Sequence, residues 1–438
     1  MMQRLLIYFL FFCCNLGTAQ IVSERERSAI VDTILNERIN KLLPELMDDT
    51  AIDMWILISR EYNEDPVLKT MLPSTWLNAR RRTILVFYRN KEENRFDKLA
   101  IARYNVGSAI VSAWDKEKQP DQWQALIDII EERDPKRIGL NTSDNFGLAD
   151  GLVHTDRTAF LERLPTTFKN RIVSAEPLAV RWLETRTSTE MKYYKQLVEL
   201  THDIIAEAFS TTVIKPGVTT TNDVVWFLRQ KVTDLGLETW FHPTVDIQRT
   251  DEKLESHITA FSNRPDGQVI LPGDLLHCDF GITYLRLNTD CQQHAYVLKE
   301  GEKEAPAYLI NALKDGNRVQ DILTQHFKTG KSGNEILLGA LKEGKNDRLL
   351  PAIYTHPLGL YGHAAGPTIG MWDSQGGVAG TGDYPLFENT VYAIELNTTV
   401  HIPEWKKDIR IMLEEAGFWG ISGFNYVNER QTNLIIIN

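Results

Sequence analysis

Two aspartates lie eleven residues apart in an extended, turn-rich stretch: Asp279 in His277-Cys278-Asp279-Phe280-Gly281 and Asp290 in Asn288-Thr289-Asp290-Cys291-Gln292. If the two runs form an antiparallel hairpin closed by residues 282–289, both carboxylates reach one face at one depth and can bridge two cations. An isolated pair of this kind has a plainer reading, as caps on turns. Three further residues of ligand type follow in order, His356, Glu395 and Glu414. Two Asp, one His and two Glu form a carboxylate-rich set with a single imidazole. Such a set suits two oxygen-preferring divalent cations that share a bridging water.

The hairpin also makes a register expectation. With Asp279 directly opposite Asp290, Cys278 falls opposite Cys291 on the other face. Directly opposed Cβ atoms lie about 4.5–5.5 Å apart, slightly long for a disulfide. Two small buried thiols, close and unbonded, are therefore expected beneath the carboxylates.

The chain has 438 residues, which predicts two domains. Its net charge of −11 and pI near 5.5 oppose binding to a nucleic-acid backbone, which requires a basic face. The first residues read as a secretory signal: a basic start at 1–4, an apolar run at 5–14, and small residues up to a cleavage point after Ala19. Ten apolar residues are too few to span a bilayer. A lipid anchor on Cys13 or Cys14 is the weaker alternative, because Phe11 and Phe12 stand where small residues belong. No other stretch is long and apolar enough to cross a membrane. The mature chain is thus expected to be exported, periplasmic or secreted. Only Cys278 and Cys291 survive cleavage, too few for a disulfide framework.

Periodicity predicts a helix over 23–46, then strands at 54–58, 83–88 and 99–102. A helix at 122–132 and short strands at 137–140 and 171–174 complete an α/β pattern. Thr187-Ser188-Thr189-Glu190 is a capping box opening a long helix to about 209. A helix over 222–235 follows, then strands at 239–248, 268–271, 275–281 and 293–298. Helices at 306–328 and 334–342 lead to strands at 391–400 and 409–415, repeating the helix-helix-strand-strand order.

The order of the five residues and their local sequence resemble the M24 metallopeptidases, the pita-bread family of methionine aminopeptidase, aminopeptidase P, prolidase and creatinase. The pattern Asp279-Phe280-Gly281…Tyr284…Thr289-Asp290 is similar to the family's first metal motif. After the signal peptide expected at 1–19, the resemblance implies a creatinase-like N-terminal α/β domain at 20–182 and an α+β pita-bread catalytic domain at 183–438. In Thr355-His356-Pro357-Leu358-Gly359-Leu360-Tyr361-Gly362-His363 it implies that His356 binds metal and His363 faces substrate; His363-Ala364-Ala365-Gly366 is a rival place for the ligand. Glu395 and Glu414 would be the remaining ligands, with Glu395 also moving a proton to the leaving nitrogen and His363 stabilising the tetrahedral oxygen. Glu415 is read as a solvated charge.

Two departures stand out. The family's Glu-Pro-Gly is Glu395-Leu396-Asn397 here, and Met412 takes a position often held by Arg, with Arg410 two residues earlier. The substrate-binding histidine of the preceding loop could be His257 or His242. The resemblance implies a peptide substrate, two divalent ions and a homodimer. Manganese comes first because the ligands are mainly carboxylates, with zinc or cobalt as alternatives. The expected function is an exported peptidase similar to Xaa-Pro aminopeptidases or prolidases, acting through a metal-bridging hydroxide. A creatinase-like C–N hydrolase and a non-catalytic binding protein are the alternatives on the same fold.

Overall fold

The computed structural model describes residues 21–250 and 267–438. The expected signal segment, with Cys13 and Cys14, and also His257 lie outside the described residues. No helix among the described residues is long and apolar enough to cross a membrane.

The N-terminal part is built on one sheet. Its strands are β1 (Met54–Arg60), β2 (Arg82–Asn90), β3 (Arg95–Ile101), β4 (Val111–Ser112), β5 (Ile138–Leu140) and β6 (Ile172–Ser174), in the order β4-β3-β2-β1-β5-β6. β1 runs antiparallel to β2 and parallel to β5. Both faces of β1 are covered. Trp55 and Leu57 join a core with Leu43, Met47 and Leu178, whereas Ile56 and Ile58 join one with Leu126, Ile130 and Phe160. A strand buried on both sides reads as an unbroken apolar run, which is why β1 and β2 are visible in the sequence.

The expected helix over 23–46 enters through a Ser23–Glu26 capping box but is not α-helical throughout. A π turn at Arg38–Leu42 separates helix Glu24–Glu37 from helix Leu43–Thr50. Such single π turns inside α-helices are frequent at functional positions. Here Arg38 points inward, donating to the Thr185 carbonyl and the Glu190 carboxylate at 2.8 Å each, and to the Trp182 carbonyl. Glu190 completes the predicted capping box with Thr187 at the start of helix Ser188–Ala208. It is fully buried and also pairs with Arg186 at 3.0 Å. Burial alone would raise its pKa, but Arg186 and Arg38 outweigh burial and hold it below the usual carboxylate value.

The C-terminal part contains β7 (Thr244–Gln248), β8 (Leu275–Phe280), β9 (Thr283–Tyr284), β10 (Leu287–Asn288), β11 (Cys291–Val297), β12 (Pro351–Ile353), β13 (His356–Leu358), β14 (Thr390–Ala393), β15 (Leu396–Ile402), β16 (Lys407–Leu413), β17 (Ala416–Gly420), β18 (Gly423–Tyr426) and β19 (Ile435–Ile437). They form the sheets β19-β11-β8-β7, β12-β15-β16 and β13-β14-β17-β18, with β9 and β10 as a separate ribbon. Helices Thr221–Asp234, Ala307–Gln325 and Gly333–Asn346 correspond to the predicted ones. The expected strand at 268–271 is not a strand; only a bridge between Val269 and Thr220 occurs there.

The hairpin forms, but in another register. Asp279 lies opposite Gln292, Cys278 opposite Gln293 and Cys291 opposite Phe280. The turn sets this. Tyr284 pairs with Leu287, leaving Leu285 and Arg286 as a two-residue loop with φ of 53° and 64°. Positive φ at both positions is the type I′ geometry that matches strand twist. Arg286 donates to the carbonyls of Leu72 and Pro73, tying the strained tip to the N-terminal part. A slip of two residues keeps every side chain on its own face. Asp279 and Asp290 therefore share a face as diagonal neighbours. Cys278 and Cys291 share the opposite face, buried and unbonded but not directly opposed.

Replacing Glu190 leaves two buried guanidinium groups without their counter-charge, which costs about 3–5 kcal/mol. Glu190→Ala is expected to lower the unfolding free energy by about that much in urea titration, and Glu190→Gln by less. A loss under about 1 kcal/mol in Glu190→Ala would show that the cluster is dispensable, since that is the scale of an exposed pair.

Candidate metal centre

The five residues meet where two strands change sheet together. Ala393 pairs with Ala416 in one sheet, and Leu396 with Leu413 in the next. Between these pairs the chain bends, and the Ile394 N–H donates to the Glu415 carbonyl at 2.9 Å. Glu395 and Glu414 occupy the bend from opposite strands. The predicted continuous strand 391–400 is therefore two strands broken at Glu395. His356 begins β13 beside Ala393, and the Tyr354 N–H donates to the Glu395 carbonyl. β11 reaches the same point through Gln292, whose backbone exchanges hydrogen bonds with Glu414 at 2.9 and 3.3 Å.

Ligand-type atoms of Asp279, Asp290 and Glu414 lie within 4.8 Å of one another, as do those of His356, Glu395 and Glu414, and those of Asp290, His356 and His363. The structure thus brings all six predicted site residues together, with Glu414 common to two groups. His356 Nε2 stands 3.9 Å from Asp290 Oδ2, 3.9 Å from Glu395 Oε2 and 3.8 Å from Glu414 Oε1. Those separations are too long for hydrogen bonds. They suit donors that share one cation, each at about 2.0–2.2 Å.

The electrostatics agree with that fit. Asp290 Oδ1, His356 Nε2 and Glu414 Oε1 are buried without a hydrogen-bond partner. His356 Nδ1 lies 3.0 Å from the Pro357 carbonyl and can donate there, leaving the Nε2 lone pair toward the carboxylates. Burial, helped by His363, lowers the His356 pKa to about 3, so the ring is neutral. Burial raises the pKa of Asp290, Glu395 and Glu414 well above the usual carboxylate range, and their mutual repulsion and that of Asp279 add to it. Without a cation, such a group holds protons; with one, it is a hard oxygen set plus an imidazole.

Sequence reasoning missed the residues that hold this set. Gln292 Nε2 donates to Glu395 Oε1 at 2.7 Å and to Glu414 Oε2 at 2.8 Å. Its Oε1 lies 2.9 Å from His277 Nε2, and His277 Nδ1 is 3.5 Å from Asp246. His294 Nδ1 donates to the Leu276 carbonyl and its Nε2 accepts the Met412 N–H. Burial and His277 lower the His294 pKa to about 3, consistent with that neutral form. The signal was available: strand alternation puts Asp290, Gln292 and His294 on one face.

Glu415 is not a solvated charge. It is buried, and it accepts from His202 Nε2 at 2.6 Å, Gln293 Nε2 at 3.2 Å and the Gln431 N–H at 3.1 Å. Burial lowers the His202 pKa, but Glu415 outweighs this and holds it above the usual value.

His363 is exposed on one side, with its ring against His356, Trp240 and Tyr354 at centroid distances of 4.7, 5.1 and 6.0 Å. It lines a cavity of about 750 Å³ shared with Leu72 and Trp76 of the N-terminal part and with Trp240, Arg286 and Tyr361. His242 is exposed, 3.0 Å from Arg229, and does not line this cavity.

Residues 192–415 match the model of metallopeptidase family M24, and the chain belongs to that family. It is a metal-dependent peptidase with the pita-bread fold and a preceding N-terminal domain. Among solved structures, it resembles an X-Pro aminopeptidase from Thermotoga maritima at 17% identity and TM-score 0.59, covering 91% of this chain and 99% of that one. It resembles a Xaa-Pro dipeptidase from Bacillus anthracis at 17% identity and TM-score 0.54, covering 94% and 100%. It also resembles the N-terminal domain of FACT complex subunit SPT16 from Cicer arietinum at 11% identity and TM-score 0.56, covering 95% and 100%. Comparison with curated proteins gave no match.

Because the buried carboxylates have raised pKa values, a cation must displace protons to bind. Calorimetric titration of the metal-free protein with manganese at pH 7 should show net proton release, seen as a binding enthalpy that varies with buffer ionisation enthalpy. Affinity should weaken as pH falls. A buffer-independent enthalpy together with a pH-independent affinity would contradict the protonated cluster.

Proposed function

We propose that the protein is an exported dinuclear peptidase similar to Xaa-Pro aminopeptidases or prolidases. Asp279, Asp290, His356, Glu395 and Glu414 hold two divalent cations, with manganese first and zinc or cobalt as alternatives. The observation that carries the reading is the convergence of Asp290 Oδ2, Glu395 Oε2 and Glu414 Oε1 on the buried, partnerless His356 Nε2, at 3.9, 3.9 and 3.8 Å. When bound, the cations supply a water of low pKa and polarise the scissile carbonyl. His363, at the mouth of the cavity, donates to the carbonyl oxygen as it becomes tetrahedral. Glu395 carries the proton to the leaving nitrogen. The cavity beside His363 receives the peptide. Residues 20–182 form the N-terminal domain and 183–438 the catalytic one, in a homodimer acting in the periplasm or outside the cell.

A second reading, a binding protein that kept the fold, draws on Glu395-Leu396-Asn397 and on Met412 in the place of an Arg. The complete donor set opposes a metal-free creatinase-like hydrolase.

Purified mature protein should hold about two divalent ions per chain, the number a two-metal site requires. Asp290→Ala and Glu414→Ala should each lose tight binding, as read by elemental analysis after dialysis. Retention of both ions in either variant would overturn the ligand assignment. Xaa-Pro dipeptides, longer peptides and creatine should be assayed in parallel with the manganese-loaded protein. Cleavage of a peptide supports the main reading, whereas a fully loaded protein that turns over none of them supports the binding protein. His363→Ala should keep its metal and lose activity by about a hundredfold, the typical worth of a transition-state donor.

A further inference from the structure

We infer that Gln292 is a positioning residue for the centre, the amide that decides which oxygens of Glu395 and Glu414 face the cations, and that His277 orients it in turn. This rests on the reading that those two glutamates hold metal. Each glutamate has one oxygen on Gln292 and the other on the cluster. Glu395 Oε1 and Glu414 Oε2 accept from the amide nitrogen at 2.7 and 2.8 Å. Glu395 Oε2 and Glu414 Oε1 are the atoms that stand 3.9 and 3.8 Å from His356 Nε2. One NH2 group has two hydrogens, and each is used. The flipped amide would set its carbonyl oxygen against two carboxylates, so the network fixes the orientation. In that orientation Oε1 must accept, and His277 Nε2 at 2.9 Å is the donor. The paired backbones of Gln292 and Glu414 anchor the near end of the side chain. Gln292 is only 4% exposed, so water does not compete for these bonds.

Hydrogen bonds of this kind outside the ligand shell are typically worth 10–100-fold in metal affinity. Gln292→Leu removes both donors, and Gln292→Asn keeps the amide but withdraws it by one methylene. Both should weaken manganese binding by about 10–100-fold. Both should also change the electron paramagnetic resonance spectrum of the manganese-loaded protein, while the melting temperature of the metal-free protein stays within a few degrees of wild type. At saturating manganese, the loss should fall on kcat more than on KM. His277→Leu, which touches neither glutamate, should shift affinity in the same direction by less, and it carries the test if the Gln292 variants fail to fold. Wild-type binding of about two ions is the reference. If wild type binds none, the proposed function falls and this inference with it. If wild type binds two, and the folded variants bind two with unchanged affinity and spectrum, this inference alone is overturned.

Discussion

Three carboxylates buried against one another are the constraint around which the C-terminal part is arranged. Removing one carboxylate from water costs several kcal/mol, and a neighbour of like charge adds to the cost. Among the described residues, the ion-pair contacts of Asp290, Glu395 and Glu414 are with His356 alone, and burial keeps that ring neutral. Glu190 shows the alternative within the same chain. It is as deeply buried, but Arg38 and Arg186 meet it at 2.8 and 3.0 Å and lower its pKa. One acidic group is thus neutralised by protein cations and joins two parts of the fold. The other is left short of positive charge, which is the condition under which an external cation binds.

The bend between sheets explains how residues so far apart in sequence reach one point. In an unbroken ladder of the same register Glu395 and Glu414 would lie directly opposite each other. Here β14 and β17 lie in one sheet and β15 and β16 in the next, so the paired strands turn between Ala393 and Leu396. The two glutamates sit on the bend, His356 is delivered by the neighbouring strand, and β11 brings Asp290 and Gln292 from the other side. The tip of that hairpin is tied by Arg286 to Leu72 and Pro73, so the N-terminal part borders the cavity beside His363.

Much of this was legible in residues 187–190, whose capping box starts the predicted helix, and in β1 and β2, whose burial on both faces writes an apolar run. The six residues that meet in the buried cluster were singled out by their types and local motifs, because metal chemistry demands particular donors. The register of the hairpin was not. It is set by Leu285 and Arg286, residues that carry none of the Asn-Gly signal by which a type I′ turn is read. Glu415 was misread for a related reason. Its burial depends on His202 from a helix and Gln431 from the C-terminal segment, both remote in sequence. The break at Glu395 was hidden because β14 and β15 are both apolar at their joined ends, with Ala393, Ile394 and Leu396 all fully buried.

The departure at Glu395-Leu396-Asn397 has a physical reading in these terms. Where the resemblance gives Glu-Pro-Gly, this chain has Glu395-Leu396-Asn397, and a strand starts directly after the glutamate: Leu396 pairs with Ile353 and Leu413, and Asn397 with Ala352 and Met412. The ladder holds the backbone after Glu395. The Glu395 carbonyl accepts from the Tyr354 N–H at 3.2 Å and from Thr355 Oγ1 at 3.0 Å. The backbone at Glu395 is therefore anchored on both sides of the bend. The side chain still needs a constraint of its own, since a glutamate has three rotatable bonds beyond its Cα. Gln292 supplies it through Glu395 Oε1. Strand and amide thus act at the two ends of one residue: the strand fixes where Glu395 begins, and the amide fixes where its carboxylate ends.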